Sequence, residues 1–294
     1  MSRIIIGIPA FQEEKNIGKL LNKLIEVDDS EIRAIYVVSS GSEDKTNDIV
    51  ASFIERDSRV HLITESERRG KTSALNILLN KSESYDIMVF MGADNLPEDS
   101  GISLLLGRIR EGYTDIVGAR PVPVNEKTSF SGFCSHLLWN LHHEISSNPL
   151  TPKISGELMA FRTGIVRQLP PAIINDDMYI QLIFEQTGSL VEYCPDAKVF
   201  LKGTLTLGDM IKQRRRIFVG HRQIRFLFGK KIPTMSLKWS QLLEALPMRD
   251  WKAGFFVVIF ILIQFVALLL SVFDFYFGNL PYKWEIAKTT KTLA

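Results

Sequence analysis

Cysteine is nearly absent: the 294 residues hold two, Cys134 and Cys194. They lie far apart with no Cys-x-x-Cys spacing, which excludes a disulfide framework and a thiolate zinc site and fits a reducing, cytoplasm-facing environment. An apolar leader is missing as well. Only Ile4, Ile5 and Ile6 stand between Arg3 and Gly7, too short a run for a signal peptide, so the bulk of the chain is expected on the cytoplasmic side. Neither a Walker A loop nor a Gly-x-Gly-x-x-Gly follows that first apolar run, and a nucleotide would have to be held another way. Net charge is also small, at +2. That value is a cancellation: residues 1–201 carry 20 Lys and Arg against 28 Asp and Glu, whereas residues 202–252 carry 12 against 3. A hydrophobic content of 46% with 23% charged residues excludes disorder and leaves room for a sizeable core.

One long hydrophobic run is present. Ala253 to Phe273 contains no formal charge, and at ~1.5 Å per residue it spans about the ~30 Å of a bilayer's hydrocarbon. It is expected to cross a membrane once. Gln264 interrupts it, read as a tolerated amide rather than one that needs a partner on another helix. The basic stretch before the run, from Lys212 through Arg214, Arg215, Arg216, Arg222 and Arg225 to Lys252, marks its cytoplasmic flank. Met210, Ile211, Ile217, Phe218, Ile224 and Phe228 recur within that stretch at helical spacing, which predicts an amphipathic helix lying on anionic headgroups. Leu237, Leu242, Leu243 and Leu246, with Trp239, predict a second one. The adjacent span makes the membrane surface, not a nucleic acid, the expected partner of these cations.

Upstream, strand-like and helix-like segments alternate. Ile4–Ile8, Ile32–Val38, Val60–Thr64 and Asp86–Met91 read as strands, and Lys15–Ile25, Asp44–Glu55, Thr72–Leu79 and Gly101–Arg110 as helices. Such alternation specifies an α/β fold with a mostly parallel sheet covered on both faces, whose ligands sit beyond the carboxyl ends of the strands. The loops found there are Pro9–Glu14, Ser39–Asp44, Glu65–Lys71 and Gly92–Pro97. Arg68, Arg69 and Lys71 supply cations for phosphate, and Asp94 a hard oxygen for a divalent ion. Singly, each reads equally well as a turn or a cap. His142 and His143 point about 100° apart on a helix and do not make a paired metal site, so the stretch around them, with Phe133 and Trp139, is read as an apolar helix packed on the core or touching the membrane.

Six landmarks in order resemble the inverting nucleotide-sugar glycosyltransferases of family 2, which have the GT-A fold. These are Pro9-Ala10-Phe11-Gln12-Glu13-Glu14; Val37-Val38-Ser39-Ser40-Gly41-Ser42; Arg69-Gly70-Lys71 with Ala74-Leu75-Asn76; Ala93-Asp94; Asn175-Asp176-Asp177; and Gln213-Arg214-Arg215-Arg216-Ile217, similar to a glutamine-x-x-arginine-tryptophan motif. The resemblance runs from about Ile4 to Gly220. It implies a donor pocket built from Pro9, Phe11, Glu13, Ser39, Arg69, Lys71, Ala93 and Asp94, with Asp94 the ligand to Mg²⁺ or Mn²⁺. It implies Asp177 as the catalytic base, and Gly156, Glu157, Asp176, Gln213 and Arg216 at the acceptor and pyrophosphate end. Read from the residues alone, Asp176-Asp177 would serve as a helix N-cap.

Three positions depart from the pattern. Ser39 replaces an aspartate that contacts the base, Gly92 replaces the first aspartate of the metal motif, and Ile217 replaces the tryptophan that stacks a growing sugar chain, which argues against a long processive product. One or two carboxylates still suffice for Mg²⁺, since phosphate oxygens and water complete its shell. The expected function is sugar transfer from a nucleotide-sugar to a lipid or lipid-linked acceptor at the cytoplasmic membrane face. The alternatives are a polyprenyl- or dolichyl-phosphate sugar synthase and an inactive GT-A membrane scaffold. The expected organisation is a catalytic domain over residues 1–203, basic interfacial helices over 204–252, a span over 253–273 and a short tail over 274–294.

Overall fold

The computed structural model describes residues 2–150, 152–229 and 251–278. The second amphipathic segment, Leu237 to Leu246, and residues 279–294 of the tail lie outside the described residues.

The four expected strands form one half of the sheet: β1 (Ile4–Ala10), β2 (Ile32–Ser40), β3 (Val60–Glu65) and β4 (Ile87–Met91). They run in the order β3-β2-β1-β4, all parallel. Helices α1 (Ile17–Ile25), α2 (Thr46–Ile54), α3 (Lys71–Ser82) and α4 (Gly101–Arg110) connect or flank them. Continuous apolar strands are what two-sided burial requires. In β1, Ile4, Ile6 and Ile8 enter one core with Leu20, Leu24, Leu105 and Ile109, while Ile5 enters the opposite core with Leu78, Phe90 and Phe161. Each fully buried isoleucine stabilises the fold by roughly 1.5–3 kcal/mol.

The other half of the sheet is mixed. After β5 (Leu96–Pro97) come β6 (Ile116–Pro123), α5 (Phe130–Ser146), β7 (Leu158–Arg162), α6 (Asp176–Gln186) and β8 (Val191–Leu201). Strand β7 pairs antiparallel with both β4 and β6, β8 runs parallel to β6, and β5 closes the edge antiparallel to β8. Strand β6 runs on from Ile116 through Pro121 to Pro123. Its prolines and Gly118 mask the pattern in sequence; the two prolines need no ladder donor of their own.

Two helices complete the described chain, α7 (Leu207–Phe228) and α8 (Trp251–Tyr276). Thr206 caps α7 by accepting from the Asp209 N–H at 3.1 Å. The apolar side of α7, expected on headgroups, lies against protein instead: Ile224 joins the α3/α6 core, and Met210 joins a third cluster with Cys134, Leu137 and Leu141 of α5 and Phe260 and Ile263 of α8. Helix α8 is long and apolar enough to cross a membrane, with a mean hydropathy of 3.0. It buries one stripe, Val257, Phe260, Ile263, Ala267, Ser271 and Asp274, and exposes Phe255, Val258, Leu262, Phe265 and Phe273 on the other side. At the upper end of that stripe, Phe256 meets the rings of Phe130 and Phe133 edge-on at 5.2 and 5.5 Å. Lower down, Arg214 donates to Gln264 at 2.7 Å, Arg222 to Ser271 at 2.7 Å, and Arg215 ion-pairs with Asp274. Gln264 therefore has a partner on another helix, and three arginines expected at headgroups hold α8 against α7.

Candidate active site

The parallel strands end together, and the loops that follow them are knitted by serines. The Ser42 hydroxyl accepts from the Gln12 N–H at 3.0 Å and from the Ser39 hydroxyl at 2.9 Å, joining the first loop to the second. The Ser40 hydroxyl accepts from the Arg69 N–H at 3.0 Å, joining the second to the third. Above them opens a cavity of about 1020 Å³. Pro9, Phe11, Glu13, Lys71, Ala93 and Asp94 line one end, and Gly156, Glu157, Asp176, Asp177, Gln213 and Arg216 line it further along. Of the expected site residues, Ser39 and Arg69 are not on the wall. Their neighbours Ser40 and Arg68 are, and the Arg68 guanidinium lies 4.2 Å from the centre of the Phe11 ring, a flat apolar and cationic platform. A strand alternates sides, so Ser39 faces away from the side that Ser40 presents to the cavity.

Lys71 opens α3 behind Gly70, whose φ of +95° suits glycine alone and turns the chain so that the lysine enters the cavity. Its ammonium lies 2.7 Å from Asp176 and 5.2 Å from the Phe90 ring centre. Burial alone would push this ammonium down; Asp176, Asp177 and Glu157 outweigh it, so its pKa stands above the ordinary lysine value and the charge is held. Asp176 and Asp177 form the first turn of α6, where the helix dipole favours carboxylates, but neither caps it. The cap position is Asn175, so the capping alternative does not describe these aspartates. Asp177 accepts from the Gly156 N–H at 3.2 Å and the Met178 N–H at 2.7 Å.

Glu157, expected at the acceptor end, lines the cavity wall. The Asn95 amide donates to its carboxylate at 2.8 Å and to its backbone oxygen at 3.0 Å, which fixes the direction of the side chain. Burial first, and then the Asp94 charge, push the Glu157 carboxyl up to about 7. Gly92 makes this arrangement possible: a Cβ there would stand 2.8 Å from the Asn95 amide nitrogen and 3.0 Å from an Asp94 oxygen. Glu157, on the segment leading into β7, thus carries a carboxylate whose charge acts on that of Asp94. Among the described residues no group of three or more His, Cys, Asp or Glu is placed to hold a metal ion.

Arg216 reaches the same cavity from α7, and burial lowers its guanidinium to about 10 against the pull of Asp176, Glu157, Asp177 and Asp94. Helix α7 can come this close to α6 because Gly220 faces Asn175, where any Cβ would stand 2.3 Å from its Oδ1. The wall continues through Leu138, Trp139 and Ile145 of α5 to Asp274 and Gly278 at the C-terminal end of α8.

Residues 5–169 match the family model described as glycosyl transferase family 2, and residues 104–279 match glycosyl transferase family group 2. Among curated proteins, a glycosyltransferase, GlyA, of Streptococcus pneumoniae is 29% identical over 142 residues, 48% of this chain and 20% of that protein. A dolichyl-phosphate beta-glucosyltransferase of Trichomonas vaginalis is 28% identical over 111 residues, 35% of this chain and 34% of that one. The chain therefore spans about a third or less of the length of these two relatives. Among solved structures, the mannosyltransferase PcManGT of Pyrobaculum calidifontis, in complex with GDP-Man and Mn²⁺, superposes with a TM-score of 0.67 at 20% identity, covering 95% of this chain and 88% of that one. Glucosyl-3-phosphoglycerate synthase of Mycobacterium tuberculosis, in complex with Mn²⁺ and UDP-glucose, gives 0.53 at 18% identity, covering 74% and 77%. The strand order, the cavity over the strand ends, the two family matches and the superposition lead to one conclusion: the chain belongs to glycosyltransferase family 2 and has the GT-A fold.

Proposed function

We propose that this enzyme moves a sugar, with inversion, from a nucleoside-diphosphate sugar to a lipid or lipid-linked acceptor at the cytoplasmic face of a membrane. The observation that carries this reading is one cavity with Phe11, Lys71 and Asp94 at one end and, in the same wall, Asp177, Arg216 and the end of the apolar helix α8. The Phe11–Arg68 platform suits the base and ribose, with Glu13 beside it. Lys71 and Arg216 are cations held in a site partly withdrawn from water, where they stabilise the charge that builds on the departing diphosphate. Asp177, held by two backbone N–H groups, takes the proton of the acceptor hydroxyl. Two carboxylates in one cavity wall whose charges act on each other suit a cation: Asp94 and Glu157 would hold Mg²⁺ or Mn²⁺, which when bound supplies Lewis-acid stabilisation of the leaving diphosphate. The Mn²⁺ in both solved relatives supports this assignment. The apolar outward side of α8, and the dolichyl-phosphate in the name of the trichomonad relative, support a membrane and a lipid acceptor. In this reading residues 1–203 form the catalytic domain, 204–252 the basic connector, 253–273 the span and 274–294 the tail.

The test is Asp177→Asn in the full chain reconstituted in membranes and assayed with a panel of nucleotide-sugars. Transfer should fall by about 10²-fold or more while nucleoside diphosphate still binds. A variant that retains full transfer removes Asp177 as the base.

A further inference from the structure

Five polar side chains in the cavity wall take no part in the chemistry above: His142 of α5, Lys153 and Ser155 of the segment leading to β7, and Arg214 and His221 of α7. All are short of partners. Among the described residues the Ser155 hydroxyl, His142 Nε2 and His221 Nδ1 are buried with no hydrogen-bond partner. Orphaned buried polar groups are rare in folded proteins, and several on one wall point to something that binds there. Lys153 and Arg214 form no ion pair among the described residues; Arg214 lies over the Phe218 ring at 4.9 Å and donates from Nε to Gln264, and the outer edge of its guanidinium makes no hydrogen bond.

The five groups share one cavity wall, and the charge of Lys153 acts on three of the others. Burial first and then the Lys153 charge hold both His142 and His221 well below the ordinary histidine pKa. Burial, with Arg214 adding to it, lowers Lys153 as well, and the carboxylate that acts on Lys153 from across the site is Asp177. Two cations that repel each other, beside two neutral imidazoles and an unpartnered hydroxyl, make a surface suited to an oxyanion with several acceptor oxygens. A phosphate ester accepts from the ammonium, the guanidinium, the hydroxyl and an imidazole N–H at once. Beside these groups the wall is apolar, with Leu138, Trp139, Leu141, Ile145 and Met210.

We propose that Lys153 and Arg214, with His142, Ser155 and His221, form a phosphate-ester subsite that seats the acid group of an amphipathic acceptor next to Asp177. The inference rests on reading this end of the cavity as the acceptor end. It makes the acceptor an anionic lipid, its hydrocarbon along α5 and its phosphate on Lys153.

The experiment titrates the full chain in a nonionic detergent with dodecyl phosphate, dodecanol and inorganic phosphate, for the parent, Lys153→Met and Lys153→Arg. Dodecyl phosphate should bind the parent, bind Lys153→Met about tenfold or more weakly, and recover most of that loss in Lys153→Arg. Dodecanol should not displace it. Inorganic phosphate should bind more weakly than dodecyl phosphate; equal affinity would assign the subsite to free phosphate and overturn the amphipathic acceptor. Equal affinity of parent and Lys153→Met for dodecyl phosphate, or displacement by dodecanol, would overturn the subsite. A parallel titration with nucleoside diphosphate and Mn²⁺ separates the two readings. A parent that binds the nucleotide but not dodecyl phosphate loses the subsite and keeps the transferase assignment. One that binds dodecyl phosphate through Lys153 but no nucleotide loses the donor assignment instead.

Discussion

At the scale of single residues, the site turns on how Asn95 orients Glu157. An amide that donates twice to one residue fixes the direction of that carboxylate, and positioning groups of this kind commonly change metal affinity by roughly 10–100-fold when removed. Asn95→Leu should therefore raise, by about that factor, the Mn²⁺ concentration needed for half-maximal nucleotide binding, and Glu157→Gln should raise it at least as far. A Glu157→Gln enzyme that titrates with Mn²⁺ like the parent would leave Asp94 without this partner. Much of the cavity lining was legible in sequence: Pro9, Phe11, Glu13, Lys71, Asp94, Asp177 and Arg216 all line it, and all but Arg216 sit at a strand end, in loops after strands or at helix starts. The pairing of Glu157 with Asp94 was not. It depends on an amide contact across 62 positions and on Gly92 leaving room for it, and neither has a local signature.

At the scale of elements, the junction of α7 and α8 decides what the basic stretch does. Arginines spaced along a helix look the same in sequence whether they face headgroups or a second helix. The difference lies in Gln264, Ser271 and Asp274, the partners 49 to 59 positions away. The helices themselves were legible, α8 from its apolar length and α7 from its periodicity; which side of α7 meets protein was not, because packing and not periodicity sets it. The Asp274 side chain is 5% exposed and that of Arg215 41%. Removing one partner of this pair should cost about 1–3 kcal/mol, less than for a pair buried on both sides, because water screens the arginine. A double-mutant cycle of Arg215→Ala with Asp274→Asn, read by thermal unfolding in detergent, should show coupling of this sign. Strict additivity would mean that the two helices are held by other contacts.

At the scale of the whole molecule, one cavity joins the loops at the ends of a parallel half-sheet to a helical side that presents an apolar, cationic wall. The near-neutral net charge of the chain conceals that division. Burial of His142 and His221 also ties stability to pH. Both are held neutral, with pKa values well below the ordinary one, whereas the unfolded chain takes up protons on them near pH 6.5. The unfolded state then binds more protons, so stability is intact above about pH 7 and falls as pH drops through about 6.5, by at most ~1.4 kcal/mol per pH unit for each histidine. Unfolding midpoints between pH 7.5 and 5.5 should show this decline, and His221→Phe should flatten it; an equal slope in that variant would locate the titrating groups elsewhere. The most direct measurement incubates the reconstituted enzyme with Mn²⁺, a panel of nucleotide-sugars and total membrane lipid extract, then reads the lipid phase by mass spectrometry. Transfer across the cavity predicts a glycosylated lipid formed in step with released nucleoside diphosphate and lost in Asp177→Asn. Nucleoside diphosphate released with free sugar alone, or a sugar-bearing lipid still formed at full rate by Asp177→Asn, would contradict it.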